Sequence, residues 1–208
     1  MVRVKGPLFS LEASGTIGGT IVFSRWKGRD YVRRHAIPSN PRSGLQVGVR
    51  SVFGFIARDW CNLSDESIAD WTAAAAADNI TPLNAHIRDA VDRARRNLGW
   101  RMNTTDPDST NNGPPENLTV TAQPRTLVLD WTPHGFTPAS YCLAIYRALE
   151  TGFDTDISNL IGVVSADVTT FTDFGLTPAT AYHYQIRGIS NNGTLSAVAV
   201  AGTGTPKA

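Results

Sequence analysis

Between Arg25 and Arg42 the chain places Arg25, Lys27, Arg29, Arg33, Arg34 and Arg42 around two aromatic residues, Trp26 and Tyr31. Guanidinium and ammonium groups interleaved with rings can hold phosphates while the rings stack on bases, or can hold the carboxylates of a protein surface. No recognised nucleic-acid-reading element accompanies this strip, so an acidic protein neighbour is the preferred partner and nucleic acid the weaker reading. The plainer use of the same residues is the solvated side of a hairpin. Cys61 and Cys142, the two cysteines, lie far apart in sequence. They either cross-link neighbouring copies outside a reducing cytosol or remain unpaired thiols that pack as small apolar groups.

Other chemistry is excluded or poorly supported by spacing. His35, His86, His134 and His183 are scattered without metal-ligand spacing, so no metal or cofactor is expected. Gly15-Thr16-Ile17-Gly18-Gly19-Thr20 lacks the Gly-Lys-Ser/Thr ending of a phosphate loop and leads into a strand. Asp154 and Asp156 flank Thr155, too few oxygens for calcium. No Ser-His-Asp or Cys-His arrangement can be assembled, and the expectation is a protein that is not an enzyme. Tyr146, Arg147, Phe153, Phe136 and His134 are candidates to line a sugar-binding face, against the alternative of loop packing.

Two kinds of element must position these residues. Thr16–Trp26 reads as one strand and Asp30–Ile37 as its return, forming a hairpin too small to be stable alone. It must lie on helices, join Leu8–Leu11 in a sheet, or pair with a neighbour. Asn40 and Pro41 suggest the start of a first helix, with Val47, Phe53, Ile56 and Trp60 along its stripe. Gly44 and Gly48 cost that helix propensity. Ser64 caps a second helix, with Asp65 and Glu66 in its first turn, and Thr81-Pro82 opens a third that ends before Gly99. Met102 to Pro115 has no apolar period and reads as a linker. The expected division is 1–101, a linker at 102–114, and 115–206. Charge agrees: residues 1–105 carry 15 Lys+Arg against 9 Asp+Glu, while residues 106–208 carry 4 against 9. No apolar run is long enough to span a bilayer, and the start through Arg3, Lys5 and Glu12 does not read as a secretory leader.

After the linker every segment alternates like a strand, with seven short strands in about 90 residues, the pattern of an antiparallel sandwich. Pro115 with Leu118 and Val120, then Trp131, then Tyr141–Arg147, and above all Leu176-Thr177-Pro178-Ala179-Thr180-Ala181-Tyr182-His183-Tyr184 resemble a fibronectin type III domain. The resemblance implies a tyrosine corner at Tyr182, Trp131 between the sheets, and no catalytic residues. Alternation places Tyr141, Leu143 and Ile145 inward and Cys142 away from the sandwich core.

The string Gly28–Arg34, Pro38-Ser39-Asn40-Pro41-Arg42, Gln46, Arg50, and Trp60 with Leu63-Ser64 and Trp71 resembles a small domain of uncharacterised tailed-bacteriophage and prophage structural proteins. The fold class expected is therefore α+β (a hairpin and about three helices) followed by an all-β sandwich. The resemblance implies a virion structural protein of the neck or collar, tail or capsid surface, made in the host bacterial cytoplasm. Its partners would be other virion proteins and copies of itself, without a membrane. The interface candidates are Arg25, Trp26, Lys27, Arg29, Tyr31, Arg33, Arg34 and Arg42. A carbohydrate- or host-surface-binding module is the alternative, with a surface glycan as ligand, and a nucleic-acid-binding protein the second alternative.

Overall fold

The computed structural model describes residues 2–3, 15–37, 39–104, 114–132, 140–196 and 200–208, with only the backbone at Val2, Arg3 and Ser140. Two compact units result, Met1–Pro41 and Arg42–Ala208. In the first, β1 (Val2–Arg3), β2 (Gly15–Ile17), β3 (Ile21–Trp26) and β4 (Arg29–Arg34) form an antiparallel sheet in the order β1-β4-β3-β2. The expected hairpin is its centre. Lys27 and Gly28 both take positive φ, 50° and 72°, the two-residue turn whose twist matches that of the flanking strands. The single strand expected over Thr16–Trp26 is broken by Gly18 and Gly19, φ 55° and 65°. The Thr20 amide then donates to the Ile17 carbonyl at 3.1 Å and closes the β2–β3 turn. Leu8–Leu11 lies outside the described residues.

The second unit opens with three helices. α1 spans Gly44–Asp59, followed by a 3-10 turn at Trp60–Asn62; α2 spans Asp65–Ala76 and α3 Pro82–Arg95. Ser64 Oγ accepts from the Ser67 amide at 3.2 Å and Thr81 Oγ1 from the Asn84 amide at 3.3 Å, so both expected caps form. The first helix starts later than the Asn40-Pro41 pair suggested. Arg42 holds φ 50°, outside the helical region, and Ser43 takes the cap position. α3 is terminated by Asn97, left-handed at φ 57°, rather than by Gly99. Among the described residues, no helix is long and apolar enough to cross a membrane.

Seven strands complete the unit: β5 (Glu116–Gln123), β6 (Thr126–Thr132), β7 (Ser140–Ala148), β8 (Leu160–Ser165), β9 (Thr170–Phe174), β10 (Tyr182–Ser190) and β11 (Val200–Gly204). They make two sheets, β11-β10-β7-β8 and β5-β6-β9. Leu127, Leu129, Trp131, Leu143, Ile145, Tyr184 and Ile186 fill the space between them. Trp131 is buried there and donates from Nε1 to the Val168 carbonyl at 3.0 Å. The Tyr182 hydroxyl accepts from the Thr177 amide at 3.1 Å, which forms the expected tyrosine corner. Asp173, 8% exposed, is held by Arg147 Nη1 at 2.7 and 2.9 Å and by the Tyr184 hydroxyl at 2.8 Å. That satisfies a buried carboxylate which would otherwise be costly.

The helices pack on this sandwich. Cys142, Ala144 and Tyr146 on the outer side of β7, with Leu160, Val163 and Ile189, share one core with Val52, Phe55, Ile56, Ala90, Ala94 and Trp100. Tyr141 joins it, edge-on to Phe55 at 5.3 Å, instead of turning inward with Leu143 and Ile145. A register shift between Ile189 and Ser190, which pair with Cys142 and Ser140, displaces it. A Cβ on Gly48 would stand 2.0 Å from the Ile157 carbonyl oxygen, and one on Gly44 2.1 Å from that of Ser158. These two glycines bring α1 against the loop before β8. Ser51 Oγ donates to the Ile161 carbonyl at 3.1 Å, the Met102 amide to Asn191 at 2.7 Å, and Arg93 Nε to Gly99 at 2.6 Å. The contacts of the chain therefore separate at Pro41/Arg42, and not in the stretch 102–114. The physical reason is that β7 is apolar on both sides, Tyr141 through Tyr146 all being buried. A strand buried on both faces needs a second covering layer, and 44–104 supplies it.

Candidate interaction surfaces

Strand register sorts the basic strip onto two faces, because directly paired residues share a side. Trp26 pairs with Arg29, Ser24 with Tyr31, and Val22 with Arg33, so Trp26, Arg29, Tyr31 and Arg33 stand on one face. Trp26 is 62% exposed, and the Lys27 ammonium lies over its ring at 4.8 Å. The other face carries Ile17 beside Ile21 and Phe23 beside Val32, with Arg34 opposite Ile21. Arg25 sits there too, 3.8 Å from Asp30. Arg42 falls in the second unit. The seven candidates of the sheet thus divide between a basic-aromatic face and a mostly apolar one, a division given by the period-two alternation and visible in sequence once the register is known.

Of the candidate sugar-binding residues, Arg147 and Phe153 line one open surface cavity beside Tyr182, and Tyr146 is not part of it. Tyr146 is 5% exposed inside the helix–sandwich core, where burial pushes its hydroxyl pKa well up. Arg147 is committed to Asp173. Phe153 is half-buried and its carbonyl accepts from Gln185 Nε2 at 2.9 Å. His134 and Phe136 lie outside the described residues. Asp156 is likewise used locally: its Oδ1 accepts from the Ser158 and Asn159 amides at 2.9 and 3.1 Å, an Asx turn. Among the described residues, no three His, Cys, Asp or Glu side chains come together to hold a metal.

The cysteines also separate. Cys61 is exposed, while Cys142 is fully buried with Trp100 Nε1 donating to its Sγ at 3.1 Å. Burial raises the Cys142 thiol pKa well above its ordinary value. Burial places the Cys142 thiol out of reach of a neighbouring copy while the helices stay docked, and Cys61 is the exposed one of the pair. Alternation did point this side chain away from the sandwich core; the covering helices were the missing information.

His86, not singled out as a site, is completely buried and stacks on Trp71 with ring centroids 4.5 Å apart. Its Nε2 lies 3.0 Å from the Arg101 carbonyl and therefore donates, which leaves Nδ1 without a partner among the described residues. Burial lowers its pKa. Nearby, Arg101 grips Asp89 through two bonds of 2.9 and 3.1 Å. This is a packed support for the segment 99–104, and Trp71, Asp89 and Arg101 also line a surface cavity with Arg88 and Thr104.

On the sandwich, one outer face is covered by the helices, and on the other Thr119, Thr121, Asp130, Thr132 and Thr170 are exposed. The β5-β6-β9 registers align Thr119, Asp130 and Thr170 in one row and Thr121, Val128 and Thr172 in the next. Glu116 stands opposite Thr132 on the same side.

Comparison with known proteins bears on the sandwich alone. Residues 113–201 match the fibronectin type III domain, which makes the C-terminal sandwich a domain of that family. Among solved structures the chain is similar to a β-1,2-glucanase from Parabacteroides distasonis, with 16% identity, 51% of this chain and 14% of that chain covered, and a TM-score of 0.43. It is similar also to the fn3 domain of human collagen alpha-1(XX) chain, with 24% identity, 49% and 91% covered, and a TM-score of 0.39. A third is a Yersinia enterocolitica family 28 exopolygalacturonase, with 20% identity, 46% and 21% covered, and a TM-score of 0.37. The match thus spans about a seventh of the glucanase chain and a fifth of the exopolygalacturonase. No curated protein matches the chain.

Proposed function

We propose that the chain is a non-enzymatic, multi-copy structural subunit of a tailed-bacteriophage particle, in the neck or collar, tail or capsid surface. The N-terminal sheet docks it, and the helix-backed fibronectin type III domain is displayed. The observation that carries this reading is the sheet of Met1–Pro41. Its described residues include no helix, and it leaves Ile17, Ile21 and Trp26 between 41% and 62% exposed. Two-layer packing is the rule for a stable sheet, so a sheet with this much uncovered apolar and aromatic surface is suited to burial against a neighbour. The helices support the same reading from the other side, since they occupy one outer face of the sandwich and stiffen it as a spacer. Localisation in the virion, after synthesis in the host cytoplasm, follows from the proposal. Mass spectrometry of purified particles tests it: the chain should appear at fixed multi-copy stoichiometry, and a variant lacking residues 1–41 should fold but fail to incorporate. Absence of the full chain from particles would overturn the proposal.

A further inference from the structure

The basic face of the N-terminal sheet sets two rings side by side between guanidinium groups. The unit Met1–Pro41 holds seven Lys+Arg and two Asp+Glu. On that face Trp26 stands opposite Arg29, Ser24 opposite Tyr31, and Val22 opposite Arg33. Trp26 and Tyr31 are therefore diagonal neighbours, about 7 Å apart. Arg29 and Arg33 flank Tyr31 along β4, both exposed, and neither has a carboxylate as its register partner. Asp30, the one acidic residue among the described strand residues of the sheet, points to the other side with Arg25. Thr16, Val22 and Ser24 add no charge to the face.

We infer that this face binds single-stranded nucleic acid, with bases stacked on Trp26 and Tyr31 and phosphates held by Arg29 and Arg33. The inference goes beyond the docking reading, for which the opposite face with Ile17 and Ile21 remains. A carboxylate surface would satisfy the guanidinium groups alone, whereas a single strand uses the rings as well. The Lys27 ammonium over the indole at 4.8 Å shows that a ring face is open to a partner from solvent. An exposed contact of that kind is weaker than a base–aromatic stack, so a base displaces it. Strand spacing selects a single strand over a duplex. Four strands span about 14 Å from β1 to β2, too wide to enter a major groove of about 12 Å. No base-reading element is required, because every base has a π-face and stacking tolerates any sequence.

Fluorescence anisotropy of a labelled oligothymidylate of about 15 nucleotides, titrated with the full chain, tests this. The oligonucleotide should bind at about 50 mM salt, and log K should fall linearly with log salt concentration. R29Q/R33Q should weaken binding and reduce that slope by about 1.4, since each phosphate contact on a single strand contributes about 0.7. Trp26→Ala should weaken binding at least about fivefold at an unchanged slope, because a stack carries no charge. Trp26→Phe keeps a ring and should recover most of that loss. R95Q/R96Q removes two exposed arginines from the other unit and should leave the slope unchanged. Absence of binding at about 50 mM salt would overturn the inference. So would equal effects of R29Q/R33Q and R95Q/R96Q, or a loss in Trp26→Phe as large as in Trp26→Ala. A duplex of the same length bound as tightly as the single strand would overturn it too. Displacement of the oligonucleotide by poly-glutamate at equal charge would assign the face to an acidic protein instead, and so overturn it. Particle composition is measured separately, so each of these failures leaves the docking reading standing.

Discussion

Gly48 and Gly54 occupy the same helix, yet substitution should move stability in opposite directions. In a helix interior, glycine to alanine gains about 0.5–1 kcal/mol through backbone entropy. A Cβ at Gly54 meets nothing within 4 Å, so Gly54→Ala should show that gain. At Gly48 the Cβ would stand 2.0 Å from the Ile157 carbonyl oxygen, and α1 would have to lift from the sandwich. Overpacking of that kind costs about 1–3 kcal/mol, and urea unfolding of the two variants measures both signs. Stabilisation by Gly48→Ala would contradict the docking of α1. His86 supplies a second residue-level test. Burial lowers its pKa against the opposing pull of its hydrogen bond to the Arg101 carbonyl and of Asp89 and Asp59, while the Arg101 guanidinium adds to the lowering. Its unfolded value is about 6.5, so below that pH the unfolded chain takes up a proton that the native imidazole does not. The His86 contribution is therefore constant above pH 6.5 and erodes as pH falls, by at most about 1.4 kcal/mol per pH unit. His86→Phe removes this titration, and its stability relative to the wild type should improve between pH 6.5 and 5. Parallel curves for the two proteins would argue against a neutral buried imidazole.

Among the elements, the sandwich strands give the clearest test and were the most legible. Trp131→Ala should cost about 3–5 kcal/mol, as large aromatic truncations in cores do, and Tyr182→Phe about 1 kcal/mol through the lost corner hydrogen bond. Chemical denaturation of each variant measures the cost, and a loss below about 1 kcal/mol at Trp131 would contradict its burial. Seven strands, both residues and the caps at Ser64 and Thr81 could be read from the chain because each depends on local pattern: alternation, turn residues, a hydroxyl ahead of an apolar period. Less local features were hidden. The start of α1 was misplaced because Asn40-Pro41 carries the usual opening signal, while the left-handed Arg42 that overrides it has no sequence mark. Gly44 and Gly48 looked like a propensity defect because their function is a contact with carbonyls more than 100 residues away. The basic strip was legible as charge but not as surface. Separating Arg29 and Arg33 from Arg25 and Arg34 requires the β3–β4 register, and that register is set by the Lys27-Gly28 turn. Tyr146 failed as a ligand residue for a related reason: an aromatic on the outer side of a strand reads as exposed until something is seen to cover it.

For the molecule as a whole, the consequential fact is that helices and sandwich share a core. A fragment of residues 115–208 would expose Cys142, Ala144, Tyr146, Val163 and Ile189 together, a continuous apolar face that the full chain buries. Exposed patches of this kind drive association. We expect residues 42–208 to be monomeric and to unfold in one cooperative transition, and residues 115–208 to be less stable and to self-associate. Cys142 reports on the difference directly, since its thiol is buried between the two layers and its raised pKa suppresses the reactive thiolate. In the 42–208 fragment a thiol reagent should label Cys61 at once and Cys142 only as fast as the helices lift away. In the shorter fragment Cys142 should label promptly. If Cys142 reacts equally fast in both fragments, the helices do not remain docked. The separate behaviour of helices and sandwich suggested by composition around residues 102–114 would then be restored. Slow labelling that accelerates in Gly48→Ala would tie the protection to the α1 contact itself, because that substitution acts on the layer boundary without touching the cysteine.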